Sequence, residues 1–274
     1  MCGRSVTDQI PPILLVGCGR MGSAMLAGWR ERGLAPSFAV DPSPAAASVA
    51  GPDLQVVSVF SAIPASFIPA AVVLAVKPQN AADSLPAYRR YAGGAVFLSI
   101  MAGRTISGIR SLVDDSAAIV RAMPNTPAAV RQGVTVACPG AGVTDAQRAL
   151  CDSLLQAIGV VAWVDDEALL DPVTAVSGSG PAYVFLLAEL MEKAAIEQGI
   201  APDLARLLAR QTVSGSGALL AASPEDAAAL RVAVTSPGGT TQAALSVLMD
   251  PEAWPASLST AIAAATARSR ELAG

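Results

Sequence analysis

Histidine is absent from the 274 residues of this chain. Because imidazole is the side chain that most often moves protons near neutral pH, this absence excludes histidine-based catalytic triads, histidine metal sites and a histidine general acid. Lysine is almost as scarce, since Lys77 and Lys193 are the only two. Any proton transfer must therefore use another group, and few ammonium groups are candidates for a binding role.

Cysteine is also infrequent, and its spacing is uninformative for metal chemistry. Cys2, Cys18, Cys138 and Cys151 form no CxxC pair. Structural zinc sites and small disulfide frameworks usually need such closely spaced pairs. We therefore expect neither a metal site nor a disulfide framework.

Charge and long apolar runs are limited too. Charged residues make up 15 % of the chain, the net charge is −4, and no basic run occurs, so no electrostatic footprint for nucleic acid is present. No stretch of 18 or more apolar residues lacks a polar interruption, which predicts no membrane span. The start, MCGRSVTDQIPP, lacks the apolar core of a signal peptide. These features predict a cytoplasmic protein.

What the chain does contain is an ordered alternation of strand and helix patterns, followed by helices alone. Short apolar, β-branched runs such as ILLV, AAVVLAV and GAVFLSI are separated by helical spacing, which predicts a mostly parallel α/β sheet. After Asp171 only helical patterns follow. The sequence thus predicts a Rossmann-type dinucleotide-binding domain over 12–168 and an all-helical domain over 169–274.

The segment GCGRMG follows the first predicted strand and opens a predicted helix. Gly17, Gly19 and Gly22 fit the G-x-G-x-x-G pattern in the context that gives it meaning. The first glycine permits the tight turn, the second lets a pyrophosphate approach the backbone, and the third lets helix and strand pack closely. This loop predicts a dinucleotide site.

An acid closes the next predicted strand. Asp41 lies where a carboxylate would accept a hydrogen bond from an adenosine ribose hydroxyl, and its charge would disfavour a 2′-phosphate. No Lys or Arg occurs between Arg32 and Lys77, although Ser43 and its neighbouring N–H groups could still hold that phosphate. Asp41 could also be a simple turn residue, so NAD(H) and NADP(H) both remain open.

Two further loops follow strands at the same predicted sheet edge. AVKPQ places Lys77 either against a dinucleotide or in solvent, and MPNTP places Asn125 in a stiff turn that suits a cofactor cleft.

In the helical half, SGSGPAY predicts a helix start with Ser179 as cap and Pro181 in the first turn. There SPGGTT, residues 236–241, suits an anion-binding nest at a helix start or a flexible helix N-terminus.

These motifs together resemble the pyrroline-5-carboxylate reductase family. GCGRMG, AVKPQ, SIMAG, MPNTP, SGSGPAY, QTVSG and SPGGTT occur in the family's order and spacing and cover nearly the whole chain. The resemblance implies reduction of a cyclic imine to L-proline by NADPH or NADH, as the last step of proline biosynthesis. It also implies a helical dimerisation domain, a homodimer with a shared active site, and in many members a decamer of five dimers.

The resemblance assigns the site residues. The substrate carboxylate is expected at the second loop, with Thr241 as the catalytic hydroxyl that faces the ring nitrogen, and with Ser236, Gly238, Gly239, Thr240 and Thr241 as ligands. The cofactor is expected to contact Val16, Gly17, Cys18, Gly19, Arg20, Met21, Gly22, Asp41, Ser43, Ala75, Val76, Lys77, Pro78, Ile100, Met101, Ala102 and Asn125.

The chain departs from the family pattern in two segments. After the second strand it has DPSPA where many members carry basic or Asn/Ser residues, and FSAIPASFIP lacks an asparagine that many members have before the AVKP strand. Both departures bear on nucleotide preference and not on the reaction.

Two rival functions fit parts of the same sequence. A β-hydroxyacid dehydrogenase would share the N-terminal fold and would need a lysine in the second domain as proton donor, for which Lys193 is the one candidate. A dinucleotide-sensing or scaffold protein would bind the cofactor without turnover.

Overall fold

The computed structural model describes residues 9–273, so Cys2 and most of the segment tested for a signal peptide lie outside the described residues. The strands are β1 (Ile13–Val16), β2 (Ser37–Val40), β3 (Leu54–Val57), β4 (Ala71–Leu74), β5 (Val96–Ser99), β6 (Ala118–Met123), β7 (Gly133–Pro139) and β8 (Gly159–Trp163). Each lies within one residue of a run that the sequence marks as apolar, although β3 stops at Val57 because residues 58–62 turn into a bend and a short 3₁₀ helix.

The strands form one sheet in the order β3-β2-β1-β4-β5-β6-β7-β8. All neighbouring pairs are parallel except β6 and β7, which are antiparallel. The order of the first six strands is that of a doubly wound dinucleotide-binding sheet, so the predicted Rossmann-type fold is confirmed.

The side chains of a strand alternate between the two faces of the sheet, and in this sheet both faces are buried. In β1, Ile13 and Leu15 belong to one apolar cluster, whereas Leu14 and Val16 belong to the cluster on the opposite face. Successive side chains of a strand point to opposite faces, so a continuous apolar run requires cover on both sides. Trp29 anchors the first cluster, and its indole N–H donates to the Leu154 carbonyl at 2.9 Å.

Helices connect the strands of this sheet. They are α1 (Arg20–Arg32), α2 (Ala81–Ser84), α3 (Ile106–Val113) and α4 (Asp145–Gln156). Helix α1 ends at Gly33, which adopts φ +89°, and α4 begins with a capping box between Thr144 and Gln147. The helix pattern in AADSLPAYRRY yields only one α-helical turn and then a 3₁₀ helix, with Pro86 in its first turn.

The remainder of the chain is helical, as the sequence predicts. The helices are α5 (Leu170–Val173), α6 (Gly180–Glu197), α7 (Pro202–Ala222), α8 (Ala227–Ala233), α9 (Thr240–Leu248) and α10 (Trp254–Ala273). A π-helical turn over Thr174–Gly178 joins α5 to α6. The helical stretch Glu167–Glu197 is long and apolar enough to span a membrane by length and composition, so the expected absence of a membrane span stays a prediction.

By its internal contacts the chain forms two compact units, residues 1–178 with 265–274, and residues 179–264. The predicted boundary at 168/169 therefore stays a prediction of functional domains, since the compact units divide ten residues later. In the second unit, all of whose residues are described, only Ala205 and Ala209 are buried. Large apolar side chains such as Phe185, Leu207 and Val247 are more than half exposed in the single chain, so this unit has almost no core of its own.

Candidate active site

The loops that follow β1, β2, β4 and β5 meet at the carboxyl edge of the parallel sheet. Backbone hydrogen bonds hold the first loop residues in the strand ladder: Gly17 N–H donates to Val40, Ala75 N–H to Val16, and Ile100 N–H to Leu74. Ligands of open α/β sheets bind at this edge. The sheet thus brings together the nucleotide-loop residues that the sequence singles out.

The three glycines of the first loop are needed for different reasons. A Cβ on Gly17, which adopts φ +97°, would lie 2.7 Å from the carbonyl oxygen of Ala75, and a Cβ on Gly22 would collide with the carbonyl oxygen of Gly17. Gly19 has nothing within 4 Å of an added Cβ. Gly17 and Gly22 therefore serve close packing within the protein, whereas the space above Gly19 is open to a ligand.

Backbone donors surround that open space. Gly19 is the N-cap of α1 and provides no side-chain cap. Among residues 9–273 the N–H groups of Gly19, Arg20, Met21 and Gly22 have no hydrogen-bond acceptor, since the first helical bond of α1 runs from Ser23 to Gly19. Free N–H groups at the positive end of a helix form an anion site.

The peptide groups of Cys18 are fixed at both ends. Its N–H donates to Asp41 Oδ2 at 2.7 Å, and its carbonyl accepts from the Ser23 hydroxyl at 2.8 Å. Burial and the nearby Asp41 charge raise the pKa of Cys18 to about 11, so the residue is a thiol at neutral pH. Ser23 was not anticipated from the sequence, because a helix serine has no distinctive pattern.

Asp41 has a structural role that the sequence does not reveal. Its second oxygen, Oδ1, accepts from the Ser43 N–H at 2.8 Å, so each oxygen already holds one backbone donor. A carboxylate oxygen has two acceptor positions, so Asp41 retains capacity for a ribose hydroxyl. The Ser43 N–H, in contrast, is engaged by Asp41 and is not free for a 2′-phosphate.

The loops after β4 and β5 are joined by a residue that the sequence analysis did not single out. The Arg104 guanidinium donates to the Pro78 carbonyl from Nε at 3.1 Å and from Nη2 at 2.9 Å. Lys77, directly before Pro78, is exposed, and within the described part of the chain its ammonium group has no partner. Lys77 is therefore free to meet an anionic ligand, while Arg104 fixes the backbone beside it.

Asn125 lies on the loop after β6 and is 8 % exposed. Its side-chain oxygen accepts from the Val134 N–H at 2.9 Å. The side-chain NH₂ group finds no acceptor in the part of the chain that the structure covers. The bond to Val134 fixes the orientation of the amide, so Asn125 presents two donors without a protein partner.

The motif SGSGPAY contains the start of α6, as predicted, and this start directly follows the π turn. Ser179 occupies the N-cap position and Pro181 lies in the first turn of α6. The Ser179 side chain makes no capping hydrogen bond, because its backbone is already helical and not extended, which corrects the predicted capping role. Gly178 lies against the end of β6, where an added Cβ would be 2.8 Å from Met123 Cε. The π turn that precedes α6 could not be foreseen, since π turns have no dependable sequence signal.

A partly buried ion pair connects β6 to the segment before α5. Arg121, on β6 with its side chain 5 % exposed, donates from Nη1 to Glu167 Oε1 at 2.9 Å. The same Glu167 oxygen accepts from the Ile106 N–H at 2.8 Å, where α3 begins. This pair joins the central sheet to the start of α3 and was not anticipated from the sequence.

The second loop precedes α9 in the other compact unit. Gly238 adopts φ +70°, and the turn is closed by Gly239 N–H donating to Ser236 at 3.0 Å. Gly238 N–H donates to Gln242 Oε1 at 2.5 Å, so it is not free for a ligand in this structure. Gln242, which the sequence analysis did not single out, closes the turn in this way.

Donors remain free at the start of α9. Among the described residues the N–H groups of Thr240, Thr241 and Gln242 have no acceptor. The Thr241 hydroxyl, on a half-buried side chain, has no hydrogen-bond partner there either. The loop therefore offers an anion three N–H groups at a helix N-terminus and a free hydroxyl beside them.

Lys193 is engaged in an exposed ion pair and is not positioned as a proton donor. Its ammonium group donates to Glu189 Oε1 at 2.6 Å on the exposed face of α6. The hydrogen bond and the charge of Glu189 raise the pKa of Lys193 above its ordinary value. This arrangement disfavours the role that a hydroxyacid dehydrogenase would require of it.

A doubly wound sheet with an open glycine loop, followed by helices, is typical of NAD(P)-dependent oxidoreductases. The model of the family described as NADP oxidoreductase, coenzyme F420-dependent, matches residues 12–103. The model described as pyrroline-5-carboxylate reductase dimerisation matches residues 167–272.

Whole-chain comparisons are more specific. The pyrroline-5-carboxylate reductase of Pseudomonas aeruginosa is 36 % identical over 96 % of this chain and 97 % of its own length. A pyrroline-5-carboxylate reductase structure from Coxiella burnetii is 30 % identical, with a TM-score of 0.88 over 97 % of this chain and 99 % of that one. The Plasmodium falciparum enzyme with NADP bound is 27 % identical, with a TM-score of 0.79 over 96 % and 100 %. This chain belongs to the pyrroline-5-carboxylate reductase family.

Proposed function

We propose that this protein reduces L-pyrroline-5-carboxylate to L-proline by hydride transfer from NAD(P)H, the last step of proline biosynthesis. The observation that carries this function is the pairing of two separate anion sites in a chain of this family. The first is the open, donor-lined space at Gly19, and the second is the free N-terminus of α9. One suits a pyrophosphate and the other a substrate carboxylate.

The cofactor binds along the carboxyl edge of the sheet. The free N–H groups of Gly19, Arg20 and Met21 hold the pyrophosphate, and Lys77 adds a cation from the next loop. The backbone from Ile100 to Ala102 and the NH₂ group of Asn125 complete the edge. Val16, Gly17, Gly22, Ala75 and Val76 shape the floor of this groove by close backbone packing.

The substrate is held by its carboxylate at the second loop. The N–H groups of Thr240, Thr241 and Gln242 bind it without a buried arginine, and the turn Ser236–Gly239 sets their position. The Thr241 hydroxyl orients the ring nitrogen and relays a proton. A protonated imine is already a good electrophile, so positioning against the dinucleotide accounts for most of the catalysis and no histidine is needed.

The exposed apolar surface of residues 179–264 is covered in a homodimer. This unit buries only two of its side chains within one chain, which is too little to be stable alone in water. The same interface accounts for the apolar surface of the stretch Glu167–Glu197 without a membrane.

The active site is shared between subunits, five dimers form a decamer, and the protein acts in the cytoplasm without nucleic acid. Functionally, residues 12–168 bind the dinucleotide and 169–274 form the dimer.

The test is an assay of the purified protein with pyrroline-5-carboxylate and either NADH or NADPH. The expected result is oxidation of the dinucleotide with stoichiometric formation of proline. Turnover of hydroxy acids in place of the imine would favour the dehydrogenase alternative. Dinucleotide binding without turnover of either substrate would favour a sensor.

Asp41 tests nucleotide preference. We expect the wild-type protein to use NADH at least as well as NADPH, because the Asp41 carboxylate repels a 2′-phosphate. Asp41→Asn should raise the NADPH-to-NADH ratio of kcat/KM about 10-fold, which corresponds to ~1.4 kcal/mol. Asparagine keeps an oxygen for the Cys18 N–H but loses the acceptor for the Ser43 N–H, so the thermal midpoint should fall less than in a variant that loses both acceptors.

Asp41→Ala is the matched variant for that experiment. It removes the charge and also the acceptor for the Cys18 and Ser43 N–H groups. It should therefore raise the NADPH-to-NADH ratio as Asp41→Asn does, while weakening the binding of both nucleotides. An unchanged ratio in both variants would show that Asp41 only holds the loop.

A further inference from the structure

The turn after β5 is in contact with the last turn of α10. Gly103 is buried at φ +67°, and an added Cβ would lie 2.9 Å from the carbonyl oxygen of Leu272 and 3.1 Å from its Cβ. The backbone of the two segments is therefore in direct van der Waals contact. Gly103 is next to Ile100–Ala102, the stretch assigned to the cofactor edge.

The last turn of α10 is itself anchored by a buried hydrogen bond. Ser269 is 7 % exposed, and its hydroxyl donates to Asp171 Oδ1 at 2.7 Å. On the outer side, Arg268 and Glu271 form an exposed ion pair at 2.8 Å. A hydroxyl buried in a helix so rich in alanine points to a specific attachment, since burying it without a partner would be unfavourable.

The turn after β5 is also fixed by Arg104. Both of its bonds to the Pro78 carbonyl tie the turn after β5 to the loop after β4. The backbone of residues 100–104 is thus fixed between Pro78 and the last turn of α10. Positioning of this kind matters because a backbone that lines a ligand must be rigid to keep its geometry.

We propose that the last turn of α10, Ser269–Leu272, is a positioning element for the dinucleotide, which acts through Gly103 on the Ile100–Ala102 backbone. The proposal rests on the proposed function, since it takes that backbone to line the cofactor. In this proposal Ser269 and Leu272 act on the cofactor through Gly103 and not by direct contact. Their loss therefore affects cofactor binding before it affects the chemical step.

Gly103→Ala tests the contact, with Gly142→Ala as its control. Both glycines have positive φ, +67° and +89°, but a Cβ on Gly142 meets nothing within 4 Å. Both variants place an alanine at positive φ, and only Gly103→Ala displaces Leu272. We expect Gly103→Ala to raise KM for the dinucleotide about 10-fold at nearly unchanged kcat and imine KM, and Gly142→Ala to leave all three as in the wild type.

Ser269→Ala provides a second test that introduces no strain. It removes the bond to Asp171, and we expect KM for the dinucleotide to rise about 5-fold with kcat at saturation retained. Asp171→Ala should reproduce this effect, whereas Asp171→Asn keeps an acceptor for the Ser269 hydroxyl and should restore the wild-type KM. The amides of residues 100–104 should also exchange faster with solvent in Ser269→Ala.

The outcomes separate this proposal from the proposed function. If the wild type turns over the imine but Ser269→Ala, Asp171→Ala and Gly103→Ala keep the KM of their controls, the positioning role is wrong and the function stands. If kcat falls in these variants while KM for the dinucleotide is unchanged, the role is also wrong. A wild-type protein that neither binds nor oxidises NAD(P)H would instead overturn the function on which the proposal rests.

Discussion

Gly19→Val is expected to abolish dinucleotide binding while leaving the protein folded. Gly19 has φ −64° and ψ −174°, a conformation open to any L-residue, and a Cβ there meets nothing within 4 Å. The branched side chain would occupy the open space beside the free N–H groups of α1, where we propose that the pyrophosphate binds. We expect the dissociation constant for NAD(P)H to rise about 100-fold or more, measured by calorimetry, with an unchanged thermal midpoint.

The control is Gly93→Val. Gly93 is exposed, has no positive φ, and is likewise free of neighbours within 4 Å of an added Cβ, but it lies in the turn before β5. The Gly93→Val variant should bind the dinucleotide as the wild type does. Tight binding by Gly19→Val, with a normal thermal midpoint in both variants, would remove the first loop from the cofactor site.

Gly17→Val is expected to lose dinucleotide binding because it distorts the loop, and not because its side chain blocks the nucleotide. The motif assigns Gly17 to the tight turn, and the structure shows that a side chain there would collide with the backbone of Ala75 and Val76. The variant should therefore lower the thermal midpoint as well as the affinity. A differential scanning measurement beside the calorimetry separates the two causes.

The sequence predicts the fold well where a local pattern determines it. The apolar run ILLV must be a strand covered on both faces, and a glycine after a helical pattern is a usual helix end, as Gly33 at φ +89° is for α1. The antiparallel direction of β7 is not predictable in this way. It depends on how the short link after Met123 returns to the sheet, and residue spacing does not encode that choice.

The residues of the candidate site also differ in whether a local sequence pattern predicts them. Glycines reveal the first loop because the motif fixes their spacing: Gly17 and Gly22 are required by local packing, and Gly19 leaves space for a ligand. Arg104 and Ser269 contact segments that lie 26 and 98 residues away, and Gln242 accepts from the backbone of its own turn through a side chain that has no distinctive pattern. Such residues become visible only when the partner is known, which is why the sequence singles out the ligands and misses their supports.

Thr241→Ala is expected to lower kcat/KM for the imine about 100-fold, the scale of a positioned proton-transfer group. Within the described residues the Thr241 hydroxyl has no protein partner, so its removal costs no internal hydrogen bond. The affinity for NAD(P)H should stay within about twofold, because only the imine is oriented by this hydroxyl. Steady-state kinetics with varied imine and calorimetry with the dinucleotide measure the two effects separately.

Thr241→Ser and Thr235→Ala complete that experiment. Serine keeps the hydroxyl at the same helix position and should recover most of the activity. Thr235 lies six residues earlier, and its hydroxyl donates to the Arg231 carbonyl at 2.7 Å, so Thr235→Ala removes a threonine hydroxyl that is already satisfied within the helix end. It should leave kcat/KM nearly unchanged. Two outcomes would contradict a catalytic role for Thr241. The first is an equal loss of kcat/KM in Thr241→Ala and Thr235→Ala. The second is an equal loss of imine turnover and dinucleotide affinity in Thr241→Ala, because a group that orients only the imine nitrogen affects the transition state and not the bound cofactor.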